Sequence, residues 1–151
     1  MQPIILFLLV ISAPLLACPD LSGKYSECRP TTGHSTGSRD MVVTQSFHDG
    51  VTTYMASATN SQTNEQETAS YKADGLLTTE EITDSDTGSK IQISSLISCL
   101  GEKLSINITI RTNGKETGFS KVQVYKTGAQ LVIESLSRDG DDEGSDKEIC
   151  E

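Results

Sequence analysis

From residue 104 the chain reads Leu104-Ser105-Ile106-Asn107-Ile108-Thr109-Ile110-Arg111, apolar and polar in strict alternation. Side chains of a β-strand point in turn to its two faces. This stretch therefore predicts a half-buried strand, with Leu104, Ile106, Ile108 and Ile110 on the covered face. The same period recurs elsewhere. Ile91, Ile93 and Ile97 alternate with Gln92, Ser94 and Ser98, Val122 and Val124 flank Gln123, and Leu131 and Ile133 precede Glu134. Met41, Val43 and Phe47 share one face, and Val51 to Met55 follow after a turn. The pattern is weaker around Tyr71 and from Leu76 to Ile82. No stretch after residue 17 carries a helical period.

Glycines punctuate these runs. Asp49-Gly50, Asp74-Gly75, Thr87-Gly88, Leu100-Gly101, Asn113-Gly114, Thr127-Gly128 and Asp139-Gly140 place Gly at intervals of 25, 13, 13, 13, 14 and 12 residues. Polar Asn60 to Gln66 supplies the turn that the first, double-length interval lacks. Asn-Gly and Asp-Gly between alternating runs are strong hairpin signals. Even spacing of tight turns predicts an all-β, antiparallel, up-and-down meander of about eight to ten strands. A flat meander of that length leaves two raw edges and an uncovered apolar face, so closure into a barrel is expected, with a β-sandwich as the alternative.

The start of the chain is different. Met1 to Ala17 carries no charge, and Ile4 to Ile11 is almost wholly apolar. That run is shorter than the roughly 20 residues a membrane helix needs, and Pro14 interrupts it. It reads as a secretory signal over residues 1–17, leaving one β domain over residues 18–151. Leu15-Leu16-Ala17-Cys18 resembles the lipobox of bacterial lipoproteins, which makes Cys18 a lipidation candidate and implies an envelope location. The competing reading puts Cys18 in a disulfide.

Export changes how the cysteines are read. Cys18, Cys28, Cys99 and Cys150 form an even set in a chain bound for an oxidising compartment, which favours two disulfides. No Cys-x-x-Cys is present and neither His sits at ligand spacing from a Cys pair, so a zinc site is not expected. A strand from Leu21 to Cys28 spans about 23 Å, whereas bonded cysteines have Cα atoms within about 7 Å. Cys18 therefore does not pair with Cys28, and two long-range connectivities remain.

Charge excludes further classes. The 151 residues include 21 acidic and 12 basic side chains, for a net charge of −9. All of these charges lie after residue 17. Such a chain lacks the basic face that phosphate backbones require, and without Trp it has few stacking platforms for bases. No nucleic-acid partner is expected.

Asp20-Leu21-Ser22-Gly23-Lys24-Tyr25 resembles the Gly-x-Trp opening strand of lipocalins and other calycins, with Tyr25 in the Trp position. Cys18 to Cys28 is also similar to the Cys-x-x-Leu-x-Gly-x-Tyr-x-x-Cys opening of small exported bacterial proteins. The resemblance implies a cup-shaped barrel around a small apolar molecule. On that reading Tyr25, Met41, Val43, Phe47, Ile106 and Ile108 are the candidate lining residues. Most inward apolar residues in small barrels are packing, so a filled interior is the competing expectation.

Four features invite chemistry. Gly33-His34-Ser35-Thr36-Gly37 matches a nucleophile elbow, but Pro30-Thr31-Thr32 precedes it where a buried strand should stand, and a strand rather than a helix follows. Asp139, Asp141 and Glu143, with Gly144 at the sixth place, imitate the start of a calcium loop. Its twelfth place is Cys150 instead of Glu, and no helices flank it. Asn107-Ile108-Thr109 is a glycosylation sequon in a eukaryotic route. Glu80 and Glu81 alternate on a strand and so cannot share a substrate proton. The sequence thus predicts a non-enzymatic exported binder without cofactor, located in the periplasm, on the outer membrane or outside the cell. The alternative is an interaction module, such as an inhibitor, working through the Arg29–Ser38 loop and the acidic Asp139–Asp146 turn.

Overall fold

The computed structural model describes residues 18–31, 39–60 and 63–151. The expected signal segment and the Gly33–Gly37 motif lie outside the described residues. Ten strands follow one another: β1 (Gly23–Pro30), β2 (Arg39–His48), β3 (Val51–Asn60), β4 (Gln66–Ala73), β5 (Leu77–Thr83), β6 (Lys90–Leu100), β7 (Lys103–Thr112), β8 (Lys115–Thr127), β9 (Gln130–Asp139) and β10 (Asp142–Cys150). They form one sheet in the order β4-β3-β2-β1-β10-β9-β8-β7-β6-β5. All nine pairings are antiparallel. The meander is as the alternation and turn spacing predicted.

The turns work through backbone conformation. Gly50, Gly75, Gly88, Gly101, Gly114, Gly128 and Gly140 all have positive φ, a region that costs a residue with a Cβ. Six of them sit in hairpins, as their spacing marked, and Gly75 sits between β4 and β5, which do not pair.

The sheet has two edges, β4 and β5. Every pair of strands consecutive in the chain is hydrogen-bonded except β4 and β5, and the first strand also pairs with the last, Arg29 opposite Ile149. The closure expected from the sequence is therefore not made by hydrogen bonds. The reason lies at Asp74–Leu76. The Gly75 amide donates to the Ile97 carbonyl at 3.0 Å, and from Leu77 onward β5 uses its ladder on β6. β4 comes up against β6 instead of pairing with β5. All seven residues of β5 are exposed.

β1 joins the two halves of the sheet. Its register against β2 shifts between Tyr25 and Cys28, and Glu27 takes φ 51° there. Such a bulge bends a strand and re-aims its side chains. It turns both Tyr25 and Cys28 inward. Around them the core gathers Leu21, Met41, Val43, Tyr54, Leu104, Ile106, Leu131 and Cys150. Cys28 is bonded to Cys150 across β1 and β10, and Cys18 to Cys99 on β6. Both bridges are long-range, closing separations of 122 and 81 residues, and the excluded Cys18–Cys28 pair does not form.

Candidate functional site

The inner face of the sheet lines a half-open cavity of about 670 Å³. Small-molecule sites span about 300–1,000 Å³ and are mostly apolar with a few placed polar groups. Leu104, Ile106 and Ile108 of β7 and Val122 and Val124 of β8 supply apolar lining from neighbouring strands, and Met41 and Val43 of β2 supply more from another part of the sheet. Ala56 and Ala58 of β3 face Ala69 and Glu67 of β4 across the ladder and supply the room. Ile133 and Leu131 of β9 complete the circuit.

The segment before β1 sits at one end of this space and is pinned by polar bonds. The Tyr54 hydroxyl donates to the Pro19 carbonyl at 2.7 Å, and the Tyr25 hydroxyl to the Leu21 carbonyl at 2.8 Å. The Gln45 Oε1 accepts from the Leu21 amide at 3.3 Å, and Lys126 Nζ donates to the Ser22 carbonyl at 2.9 Å. Leu21, only 1% exposed, lines the cavity. Cys18 lines a separate hollow of about 640 Å³ with Gln45, Phe47, Thr52, Ala73 and Cys99. Burial pushes the Tyr54 hydroxyl up to about 12, with the Asp20 charge adding to it.

Two charged side chains line the cavity, Arg39 and Glu67. Arg39 stands opposite Cys28 in the ladder and reaches Glu148 of β10 with both edges of its guanidinium. Its Nε donates at 2.9 Å and its Nη2 at 2.5 Å. This two-pronged bond holds the Arg39 pKa above its ordinary value against the opposing effect of burial. Glu67 adds to it electrostatically without making an ion pair.

Four of the predicted lining residues, Met41, Val43, Ile106 and Ile108, line the cavity. Two do not. Tyr25 is packed in the core, its hydroxyl turned to Leu21. Phe47 has the correct parity but lies at the far end of β2, 72% exposed beside the second hollow. Sequence reasoning missed Tyr54, Ala56, Ala58, Ala69 and Tyr71. Their faces alternate with Thr, Ser and Lys, and an inward Ala gives little apolar contrast. Arg39 was missed because a charged residue at a strand start reads as exposed.

The calcium candidates fall on the β9–β10 hairpin. Asp139 and Asp142 face each other across a tight turn, and Glu143 stands opposite Arg138. Asp139, Asp141 and Glu143 are not gathered at ligand distance. Among the described residues the one such group is Cys28, Glu148 and Cys150, and both sulfurs there are bonded to each other. The lipidation reading of Cys18 meets the same obstacle, since its sulfur is bonded to Cys99 and is not free for a thioether. His48 pairs with Asp49 at 3.0 Å on an exposed hairpin tip. Asn107 is half-buried and donates to Ser105 Oγ at 3.2 Å.

No protein-family model matches the chain, and no curated protein or solved structure does. The two disulfides fit an oxidising, exported setting.

Proposed function

We propose that the protein is an exported, lipocalin-like cup that binds a small apolar molecule in the cavity and catalyses nothing. The observation that carries this is the cavity itself, about 670 Å³ between apolar strand faces that packing would otherwise fill. Protein interiors leave few voids larger than a water, so an open apolar space of this size calls for an occupant. The approach of β4 to β6 supports a cup closed by side-chain packing at its one unladdered seam. Residues 1–17 act as the export signal in this reading, and the site of action is the periplasm or the medium.

The test is titration of the full chain with an uncharged dye that fluoresces in apolar surroundings. Saturable binding of one dye per chain is expected, and Ala69→Trp is expected to abolish it while the circular dichroism of the β-sheet persists. Absence of saturable binding, or binding untouched by Ala69→Trp, overturns the reading. A second reading, an interaction module, draws on the acidic hairpin, where every residue from Asp139 to Asp146 is exposed. It predicts capture of a protein partner that replacement of that hairpin abolishes, with no dye bound in the cavity.

A further inference from the structure

The charged groups of the cavity are unequal. Arg39 presents its Nε and Nη2 edges to Glu148, and Glu148 is only 14% exposed, so the two neutralise each other. An anionic guest would have to take Arg39 from Glu148 and leave a poorly hydrated carboxylate without its partner, a costly exchange. Glu67 is in the opposite position. It lines the open part of the cavity, exposed to solvent, and shares the inner face of β4 with Ala69 and Tyr71. Among the described residues no hydrogen bond or ion pair occupies its carboxylate. Arg39, Glu148 and Glu67 together carry one surplus negative charge.

Two further features act in the same direction. The Tyr71 ring lines the same wall, and aromatic faces attract cations. The chain as a whole carries −9, a field that concentrates cations and repels anions on approach. Resting on the reading of the cavity as a ligand site, we propose that its preferred guest is a monocationic amphiphile. Its apolar body would lie against Met41, Val43, Ile106 and Ile108, and its ammonium-like head against Glu67 beside Tyr71. Such a guest leaves the Arg39–Glu148 pair intact and balances the one surplus charge.

The test compares three competitors with one tail and different heads, each below its micelle concentration, against the uncharged dye on the full chain. Dodecyltrimethylammonium is expected to displace the dye at about three- to tenfold lower concentration than dodecanol, with dodecyl sulfate the weakest. Glu67→Gln is expected to bring the ammonium compound to the level of dodecanol and leave dodecanol unchanged. Glu102→Gln removes one charge from an exposed turn outside the cavity lining and is expected to keep the preference. The proposal is overturned if dodecanol or dodecyl sulfate competes as well as the ammonium compound. It is equally overturned if Glu67→Gln retains the preference, or if Glu102→Gln loses it to the same degree. A dye that binds while the heads are not distinguished sinks this proposal alone. A dye that never binds sinks the cavity reading and this proposal with it.

Discussion

The ring of Tyr25 lies over Gly23 so closely that a Cβ at residue 23 would stand 2.9 Å from the ring carbon Cζ. Tyr25 is 4% exposed, its hydroxyl is held by the Leu21 carbonyl, and Lys126 approaches its ring at 5.9 Å. The ring has little freedom to retreat. Gly23 therefore serves as a seat for the aromatic residue two places on, which gives the Gly-x-Tyr opening a physical meaning. Gly23→Ala is expected to destabilise the fold by about 1–3 kcal/mol through overpacking, read from urea unfolding. In the Tyr25→Leu background, which empties the seat, Gly23→Ala is expected to cost less than it costs in the natural chain. Strict additivity of the two would refute the contact.

Tyr54 provides a pH signature. Its hydroxyl is pushed up to about 12 from an ordinary 10, chiefly by burial. Between these values the unfolded chain releases this proton while the folded chain keeps it. Stability from this group is thus complete below pH 10 and falls as pH rises through about 12. Ultraviolet titration of tyrosinate should show one phenol ionising near pH 12 that is missing from Tyr54→Phe. Tyr54→Phe also loses the bond to Pro19, worth about 1 kcal/mol in urea unfolding at neutral pH.

The two disulfides should open in a fixed order. Cys28 and Cys150 are 0% exposed, whereas Cys18 and Cys99 are only partly buried and line a hollow. Thiolate attack requires access to sulfur. Mild reductant on the folded protein is expected to release Cys18 and Cys99 for alkylation well before Cys28 and Cys150, as peptide masses will show. Early alkylation of Cys28 or Cys150 contradicts the burial described. Replacing Cys28 and Cys150 together by Ala removes a link over 122 residues, and the chain-entropy model sets that loss at about 4–5 kcal/mol.

What was legible in the sequence, and what was not, follows from side-chain contrast. β7 was readable in part: Leu104, Ile106 and Ile108 line the cavity as their alternation predicted, whereas Ser105 is buried and Ile110, beside the register shift against β8, is exposed. The turns were readable because positive φ selects Gly at Gly88, Gly101 and Gly114 whatever the tertiary context. β3 and β4 were not readable as walls. Ala56, Ala58 and Ala69 face inward to leave space, and space has no hydrophobic signature. The gap between β4 and β5 was invisible for another reason. It depends on the Gly75 amide meeting the Ile97 carbonyl, a contact between residues 22 positions apart that no local pattern encodes. The Arg39–Glu148 pair is 109 residues apart in the chain and equally out of reach of local reading.

That pair yields an asymmetric prediction. Arg39 links β2 to β10 over the Cys28–Cys150 bridge, and its side chain is 41% exposed against 14% for Glu148. Removing either partner breaks the same bonds, but the survivors differ. After Glu148→Ala the guanidinium of Arg39 can turn to water, and a cost of about 1 kcal/mol is expected. After Arg39→Ala the Glu148 carboxylate stays against the bridge and the wall of Ile133 with little water. A cost of about 2–3 kcal/mol follows, since an uncompensated buried charge is the expensive outcome. The double variant Arg39→Ala with Glu148→Ala is expected to be more stable than Arg39→Ala alone, because it removes the stranded charge. Urea unfolding of the four proteins at neutral pH decides it. Equal losses in the two single variants would mean that Glu148 finds solvent when Arg39 is gone.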